Sequence, residues 1–439
     1  TGREEDGWMK ATLSSVIERS GGPVAYGPIR RAMGLVVEAE LPAAEIGDEV
    51  VMGSGLRGEI VGFRDDRWLI MPFGDLAGIS AGMRCSVAAR QQQIGFSTGW
   101  LGRVIDPWGQ PLDGRPLPPP ETFVPLHAVG PRPQERRSVD ESLATGVRII
   151  DSLLTCGVGQ RVGLFAGAGV GKTMLVRQIA KQTEADVRIL ALIGERGVEV
   201  QDMMRTFSLD DGIIVVATSD RSPLERARGA LSATALAEGF ARRGAKVLLM
   251  IDSLTRYAMA LREIGLAIGE APATKGYPPS VFAALPRLLE RVAPLSDGGS
   301  ISAFYTVLVE GDDDLADPVS DSARSLLDGH IVLRRALAMR GHFPAIDPLA
   351  STSRVVRQVS TSEDLELADQ ARDVLAARQQ AEELRSFGAY QMGADARLDR
   401  GLRLSPALDR FLKQRTDECD APEIARRKLR EILAEGART

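Results

Sequence analysis

A short apolar run, a glycine-rich turn and the start of a helix follow one another in residues 160–181, which read QRVGLFAGAGVGKTMLVRQIAK. Residues 161–165 have the composition of a buried parallel strand. The glycines let backbone N–H groups point inward at an anion, and Lys172 adds a cation. Apolar residues then recur at helical spacing, so the turn ends at a helix N-terminus, which favours phosphate. A structural glycine turn is the alternative, but a chance match has no reason to lie at a strand–helix junction. The stretch therefore predicts a P-loop, with Ala166 in place of its first glycine.

The residues that would cradle a nucleotide lie in this turn and in the first turn of the helix. Lys172 would hold phosphate, and Thr173 would place its hydroxyl on Mg²⁺. The nucleotide-binding residues predicted here are Gly167, Ala168, Gly169, Val170, Gly171, Lys172, Thr173 and Met174.

Two carboxylates follow later strands of the same pattern. Asp252 comes after the apolar run 247–251, where a P-loop protein carries the aspartate that supports Mg²⁺. Glu195 follows the run 187–193 and could orient or deprotonate an attacking water. A surface glutamate in a turn is the alternative for Glu195. The pair predicts hydrolysis of the bound nucleotide.

The bulk composition is that of a globular protein. The chain has 439 residues, enough for two to four domains, with 54 basic and 59 acidic residues. This net charge of −5 gives no overall field that would attract nucleic acid. Cys85, Cys156 and Cys419 have no metal-ligand spacing, which favours a packing role in a reducing compartment. No apolar stretch reaches eighteen residues, so we expect a soluble intracellular protein.

The order of patterns along the chain predicts a multidomain α/β protein. An amphipathic helix is expected at residues 8–19, either packed on its own domain or docking another protein. Short apolar runs separated by glycine turns at 27–90 indicate a small β-barrel. A proline-rich surface tether at 107–133 should follow, and after it strands alternate with helices, which predicts a parallel sheet with flanking helices. Ser222 to Glu225 forms a capping box that opens a helix to about Arg243.

Three domains are expected. They are an N-terminal helix and β-barrel domain at 1–95, a P-loop ATPase domain of the RecA-like kind at 96–357, and a helical domain at 358–439. The last assignment depends on the aliphatic and charged residues that run at helical spacing after about Gln358.

Six motifs in order now carry a family resemblance: AGAGVGKT, ALIGERG, LLMIDSLTRYA, GEAPATKGYPPSVFAALPRLLER, DDDLADPVSDSARSLLDGHIVL and HFPAIDPLASTSRV. The chain resembles the catalytic subunits of the rotary ATP synthase superfamily. More narrowly, it resembles the homohexameric ATPases of type III protein export, whether flagellar or of the injectisome. The match is specific from about Leu101 to Val356.

The resemblance implies roles for particular residues. ATP and Mg²⁺ are the implied cofactors, with Lys172 and Thr173 on phosphate and metal and Asp252 supporting the metal. Glu195 would be the catalytic carboxylate, with Arg196 beside it. Phe343 would lie against adenine, where an aromatic face stacks. Arg354 would be an arginine finger supplied to a neighbouring subunit. Val198 departs from the family, which usually has arginine there.

The resemblance also implies partners. These are five further copies of the chain in a hexamer, a coiled-coil stalk protein in the central hole facing residues 265–279, a regulatory stator-like protein at the leading helix, export substrates and chaperones. An ordinary surface loop is the alternative for 265–279. We expect a cytoplasmic protein, peripheral at the cytoplasmic face of the inner membrane and in contact with a membrane export gate.

We therefore predict Mg²⁺-dependent ATP hydrolysis that energises protein export, with flagellar export as the first expectation and injectisome secretion as the alternative. A non-catalytic nucleotide-binding subunit of a mixed ring is a further alternative, which Glu195 argues against because such subunits typically lack the carboxylate. A ring RNA translocase is another, which the mild acidity and the lack of an aromatic-rich basic barrel face argue against.

Overall fold

The computed structural model describes residues 26–53, 55–89, 92–207, 210–309 and 317–435. The helix predicted at residues 8–19 lies outside them. The chain divides into two compact units, one made of 1–92 with 266–270 and the other of 93–265 with 271–439. The domain limits at 95 and 357 stay predictions.

The first unit contains a closed barrel of six strands in the order β1-β2-β5-β4-β3-β6. Closure leaves no free sheet edge, and alternate residues such as Val37, Val50 and Ile70 fill the interior. Gly27 sits where the chain passes so close to Glu40 that any Cβ would meet its carbonyl oxygen. The predicted barrel is confirmed. Its strands are β1 Tyr26–Met33, β2 Val36–Ala39, β3 Glu49–Met52, β4 Leu56–Arg64, β5 Arg67–Pro72 and β6 Arg84–Ala89.

The second unit is built on an eight-stranded sheet in the order β18-β17-β12-β16-β15-β13-β14-β8. Its strands, with those of two small two-stranded sheets, are β7 Gln93–Phe96, β8 Arg103–Ile105, β9 Thr122–Pro125, β10 Ser142–Leu143, β11 Cys156–Gly157, β12 Arg161–Ala166, β13 Val187–Ile193, β14 Gly212–Ala217, β15 Lys246–Asp252, β16 Ser300–Leu308, β17 Gly329–Leu333 and β18 Ile346–Ser353.

All neighbouring strands of this sheet run parallel except β18, which is antiparallel to β17. The predicted parallel sheet is confirmed, and the antiparallel edge strand is an addition to it. In β13, Ile189, Ala191 and Ile193 join the core on one face while Leu190 and Leu192 join the core on the other. Burial of both faces explains why these strands are continuously apolar.

Helices cover both faces of the sheet and form the C-terminal region. The capping box at Ser222 is present, and its helix begins at Pro223 and ends at Ala241. The last three long helices pack on one another, as the predicted helical C-terminal region requires. The helices are α1 Arg148–Leu153, α2 Lys172–Gln182, α3 Gly197–Thr206, α4 Pro223–Ala241, α5 Leu254–Ile268, α6 Pro279–Leu289, α7 Pro318–Leu326, α8 Arg335–Met339, α9 Val356–Val359, α10 Ser362–Ser386, α11 Ala396–Leu412 and α12 Pro422–Glu435, with short 3₁₀ turns at Thr98–Trp100, Pro133–Glu135 and Thr274–Gly276.

Three local expectations need correction. The proline-rich segment is not a surface tether throughout, because β9 pairs with β7 and the side chains of Val124 and Leu126 are buried. Residues 265–268 are helical, since α5 continues to Ile268. Cys419 is exposed, whereas Cys85 and Cys156 are buried.

Candidate functional site

The P-loop connects β12 to α2 at the edge of the sheet where the parallel strands end. Gly169 and Gly171 have φ of 76° and 88°, the left-handed region that glycine adopts without strain. The strands β16, β15 and β13 lie in succession beside β12, and their carboxyl ends reach the same edge. The predicted order of strand, turn and helix is therefore present, with the helix N-terminus facing this edge.

The ammonium of Lys172 lies between the two predicted carboxylates. Its Nζ is 3.2 Å from Oε1 of Glu195, and it also bonds Oδ1 of Asp252. Thr306, on β16, donates its hydroxyl to the same Asp252 oxygen over 2.6 Å. Burial lowers the pKa of Lys172, but the two carboxylates outweigh it, so its pKa is raised and the amine stays charged.

Glu195 is buried, with 8% of its surface exposed. Burial, then the charge of Asp252 and a hydrogen bond with Glu199, raise its pKa to about 7 against the opposing pull of Lys172. Glu199 lies in the first turn of α3, and accepting that bond from Glu195 lowers the pKa of Glu199. The exposed Arg196 side chain donates its Nε to Glu199 over 2.8 Å. A carboxyl that titrates near neutrality is suited to proton transfer.

A cavity of about 970 Å³ opens in front of these groups. It contains Thr173 and three basic residues that were not among the predicted site residues, namely Arg256, Arg262 and Lys275. The location of Arg256 could have been predicted from the sequence, because a helix that starts directly after β15 places its first turn at the same sheet edge as Asp252. The other two come from α5 and from the 3₁₀ turn beyond it, and no local pattern marked them.

A second cavity of about 760 Å³ shares Gly171 and Met174 with the first. The Phe343 ring forms part of its wall and packs against Gly171, where an added Cβ would come within 3.1 Å of the ring. The segment 413–418 also lines this cavity, and the backbone N–H of Gln414 donates to the Phe343 carbonyl over 2.9 Å. The predicted base-contacting residue is thus next to the P-loop.

Arg354 lies apart from these residues. Because β18 is antiparallel, it carries Arg354 to the edge of the sheet opposite the P-loop edge. Arg354 is exposed, and its Nη2 donates to the carbonyl of Arg324 over 3.0 Å. Among the described residues that line the two cavities, Arg354 does not occur.

Three family models match successive parts of the chain. The nucleotide-binding domain of the ATP synthase alpha/beta family matches residues 146–353, and the β-barrel domain of that family matches residues 29–86. The C-terminal domain of the type III secretion ATPase EscN matches residues 360–431.

Whole-chain relatives agree with these matches. The flagellum-specific ATP synthase of Bacillus subtilis is 46% identical over 93% of this chain and 95% of its own. The type 3 secretion system ATPase of Sinorhizobium fredii is also 46% identical, over 93% of this chain and 92% of its own. A solved structure of assembled EscN from enteropathogenic E. coli superposes with a TM-score of 0.89 at 41% identity, covering 93% of this chain and 100% of that one.

The barrel, the P-loop sheet and the paired carboxylates define a P-loop ATPase on the plan of the ATP synthase subunits. Its relatives at full length are named as a flagellum-specific ATP synthase and a type 3 secretion system ATPase. The chain belongs to the type III export ATPases of the ATP synthase alpha/beta family. The resemblance, the fold class and the ATPase activity expected from the sequence are confirmed.

Proposed function

We propose that six copies of this chain form a ring that hydrolyses ATP to energise type III protein export. The observation that carries the proposal is the Lys172, Glu195 and Asp252 cluster, which supplies a phosphate-binding cation and a buried carboxylate poised near neutral pH. Two solved EscN structures support the assembly, one described as assembled and one as a complex with the central stalk EscO. A stalk protein in the central hole is part of the proposal.

In the proposed mechanism, Lys172 binds the terminal phosphates of ATP and so exchanges its carboxylate contacts for phosphate. Glu195 then accepts the proton of the attacking water. Glu199, which Arg196 holds, can accept a hydrogen bond from the protonated carboxyl that this transfer forms. Phe343 stacks against the base. The basic residues Arg256, Arg262 and Lys275 would neutralise phosphate charge in the large cavity.

The residues present fit Mg²⁺ as the metal. Thr173 offers a hydroxyl and Asp252 a carboxylate, which are the hard oxygen donors that this ion prefers. Two protein donors are enough, because Mg²⁺ keeps waters and takes phosphate oxygens as its remaining ligands. When bound, the ion would neutralise charge on the phosphates.

Arg354 is proposed to act on a neighbouring subunit. Its own P-loop lies at the far edge of the sheet, about 20 Å away along a six-residue strand at 3.3 Å per residue. A guanidinium supplied by a neighbour would stabilise charge on the transferred phosphoryl group, and such fingers contribute about 10³ to 10⁵ in rate.

The remaining assignments concern location and partners. Within the part of the chain that the structure describes, no helix is both long and apolar enough to cross a bilayer. We propose a cytoplasmic location at the inner face of the membrane, with export substrates, chaperones, a stator-like regulator and an export gate as partners. Flagellar export is the first candidate system. Sequence identity does not separate flagellar export from an injectisome, because one relative of each kind is 46% identical to this chain. Identifying the proteins that co-purify from the native host would decide between the two systems.

Mixing two inactive variants tests the shared site. Lys172→Ala loses the P-loop cation and Arg354→Ala loses the finger, so each should form rings that hardly hydrolyse ATP. In rings mixed from equal amounts, about a quarter of the sites pair an intact P-loop with an intact finger, because each site is made by two adjacent subunits. Activity should return to about that level. Native mass spectrometry confirms mixing, and mixed rings that recover no activity would contradict a site shared between subunits.

A further inference from the structure

We propose that Gln160 is a positioning residue for Arg354, so that Gln160 acts on the active site of the neighbouring subunit and not on its own. The proposal rests on the proposed function, in which Arg354 works across the subunit boundary. Gln160 directly precedes β12, the strand that ends in the P-loop, yet its side chain bonds the segment that carries the finger.

The Gln160 amide is fully used. The residue is 1% exposed, and its Oε1 accepts from the Gly157 N–H over 2.9 Å. Its Nε2 donates to the Asp328 carbonyl over 3.0 Å and to the Ser353 hydroxyl over 3.2 Å. Buried amides with several well-made hydrogen bonds fix the relative positions of the segments that they join. Here the segments are the entry to β12, the entry to β17 and the exit of β18.

The backbone of Asp328 binds the backbone of Arg354. Its carbonyl accepts from the Arg354 N–H over 2.9 Å as well as from Gln160. Its carboxylate is held by the Arg161 guanidinium in a two-bond pair, Nε to Oδ2 and Nη2 to Oδ1, both 2.9 Å. Asp328, which bonds the backbone of Arg354, is thus itself bonded by two residues at the start of β12, Gln160 and Arg161.

The residue before the finger is fixed in the same way. Ser353 accepts from Gln160 and donates its hydroxyl to the Thr155 carbonyl over 2.9 Å. The side chain of Arg354, in contrast, is exposed and contacts the carbonyl at the end of α7. A hydrogen-bonded backbone under a solvent-exposed guanidinium is the arrangement expected of a group whose target lies on another molecule, because most of its positioning then comes from the backbone.

Gln160→Met is the variant that tests this. Methionine keeps the length and volume of the side chain and removes all three hydrogen bonds of the amide, the one accepted from Gly157 and the two donated. A small misplacement of a catalytic group can cost up to about 10²-fold in rate, so kcat should fall by about 10- to 100-fold. The KM for ATP should change by less than about twofold, because the residues that bind ATP are untouched.

Mixed rings then show on which site Gln160 acts. Gln160→Met mixed equally with Lys172→Ala should recover about a quarter of wild-type activity, since intact fingers from the second variant meet intact P-loops of the first. In rings mixed from Gln160→Met and Arg354→Ala, the ATPase activity should stay at the mean of the activities of the two unmixed variants, since every finger in such rings is defective. A residue that acted on its own P-loop through β12 would give the reverse pattern, which would overturn the proposal.

Two further variants keep the test decisive. Ser353→Ala removes the hydroxyl that joins Gln160 to Thr155 and leaves the bond from Gln160 to Asp328. It should show the same complementation pattern with a smaller loss of kcat. This variant answers the question if Gln160→Met fails to fold. Gln379→Met, at an exposed position on α10, is the matched control and should leave kcat unchanged. Full activity of both Gln160→Met and Ser353→Ala would also refute the proposal.

The mixture of Arg354→Ala with Lys172→Ala distinguishes a failure of the shared site from a failure of the role given to Gln160. If Arg354→Ala and Lys172→Ala recover nothing together, the shared site itself is wrong and the role of Gln160 falls with it. If they recover activity and Gln160→Met complements Arg354→Ala instead of Lys172→Ala, only the role of Gln160 is wrong.

Discussion

The pKa of Glu195 predicts how hydrolysis depends on pH. With a pKa of about 7, half of the carboxyl is ionised at pH 7 and about a tenth at pH 6. A general base must be ionised, so kcat/KM, which reports the free enzyme, should fall about fivefold between pH 7 and pH 6 and rise less than twofold from pH 7 to pH 8. Steady-state kinetics at constant ionic strength with excess Mg²⁺ measures this profile, and unfolding curves at each pH exclude loss of structure.

Glu199→Ala provides the structural test of that profile. The hydrogen bond that protonated Glu195 donates to the Glu199 carboxylate helps to raise the pKa of Glu195, so its removal should move the kinetic midpoint towards acid. Burial and the charge of Asp252 remain, so the midpoint should stay above the usual carboxylate value. Glu382→Ala is the control, because Glu382 also pairs with an arginine on a helix but lies in α10. A wild-type midpoint near 4.5, or an alkaline shift in Glu199→Ala, would refute the account of Glu195.

Three other variants have defined outcomes. Arg291→Met breaks a buried two-bond ion pair with Glu238 and should lower the free energy of unfolding by about 3–5 kcal/mol. Adding Glu238→Leu should restore much of this in urea unfolding, and additive losses would show that the pair is not coupled. Asp151→Ala removes a buried carboxylate that accepts three hydrogen bonds and should cost about 3 kcal/mol in the same assay. Phe343→Ala should raise the KM for ATP about tenfold with kcat little changed, since stacking on a base is worth about 1–3 kcal/mol. Phe387→Ala, at an exposed position, is the control, and an equal rise in its KM would contradict the assignment of Phe343 to the adenine base.

Much of the fold was predictable because its signals are local. The P-loop, the strand 187–193 and the capping box at Ser222 each depend on residues close together in the chain, and each is present in the structure. Asp252 and Glu195 were recognisable for a related reason. Parallel strands end at one edge, so a carboxylate after a strand is carried to the P-loop edge whatever the strand order.

The features that were missed depend on distant parts of the chain. The reversed direction of β18 follows from its pairing with β17, and nothing within 346–353 specifies it. The same holds for Arg262 and Lys275, which reach the cavity from separate elements. Glu199 could have been predicted, since a helix that starts just after Glu195 places its first turn beside that carboxylate.

The position of β16 has a consequence for how the chain acquires its site during synthesis. The P-loop strand β12 and the Asp252 strand β15 are not neighbours, because β16 lies between them and is made later than both. A nascent chain that ends before Ser300 therefore holds the lysine next to a strand that no sheet pairing joins to the strands of the two carboxylates, which pair with each other. We expect phosphate binding by the P-loop to appear abruptly once residues 300–308 emerge from the ribosome, before Phe343 is made. ATP therefore cannot stabilise a shorter intermediate, whose open strand edges are prone to aggregation until then.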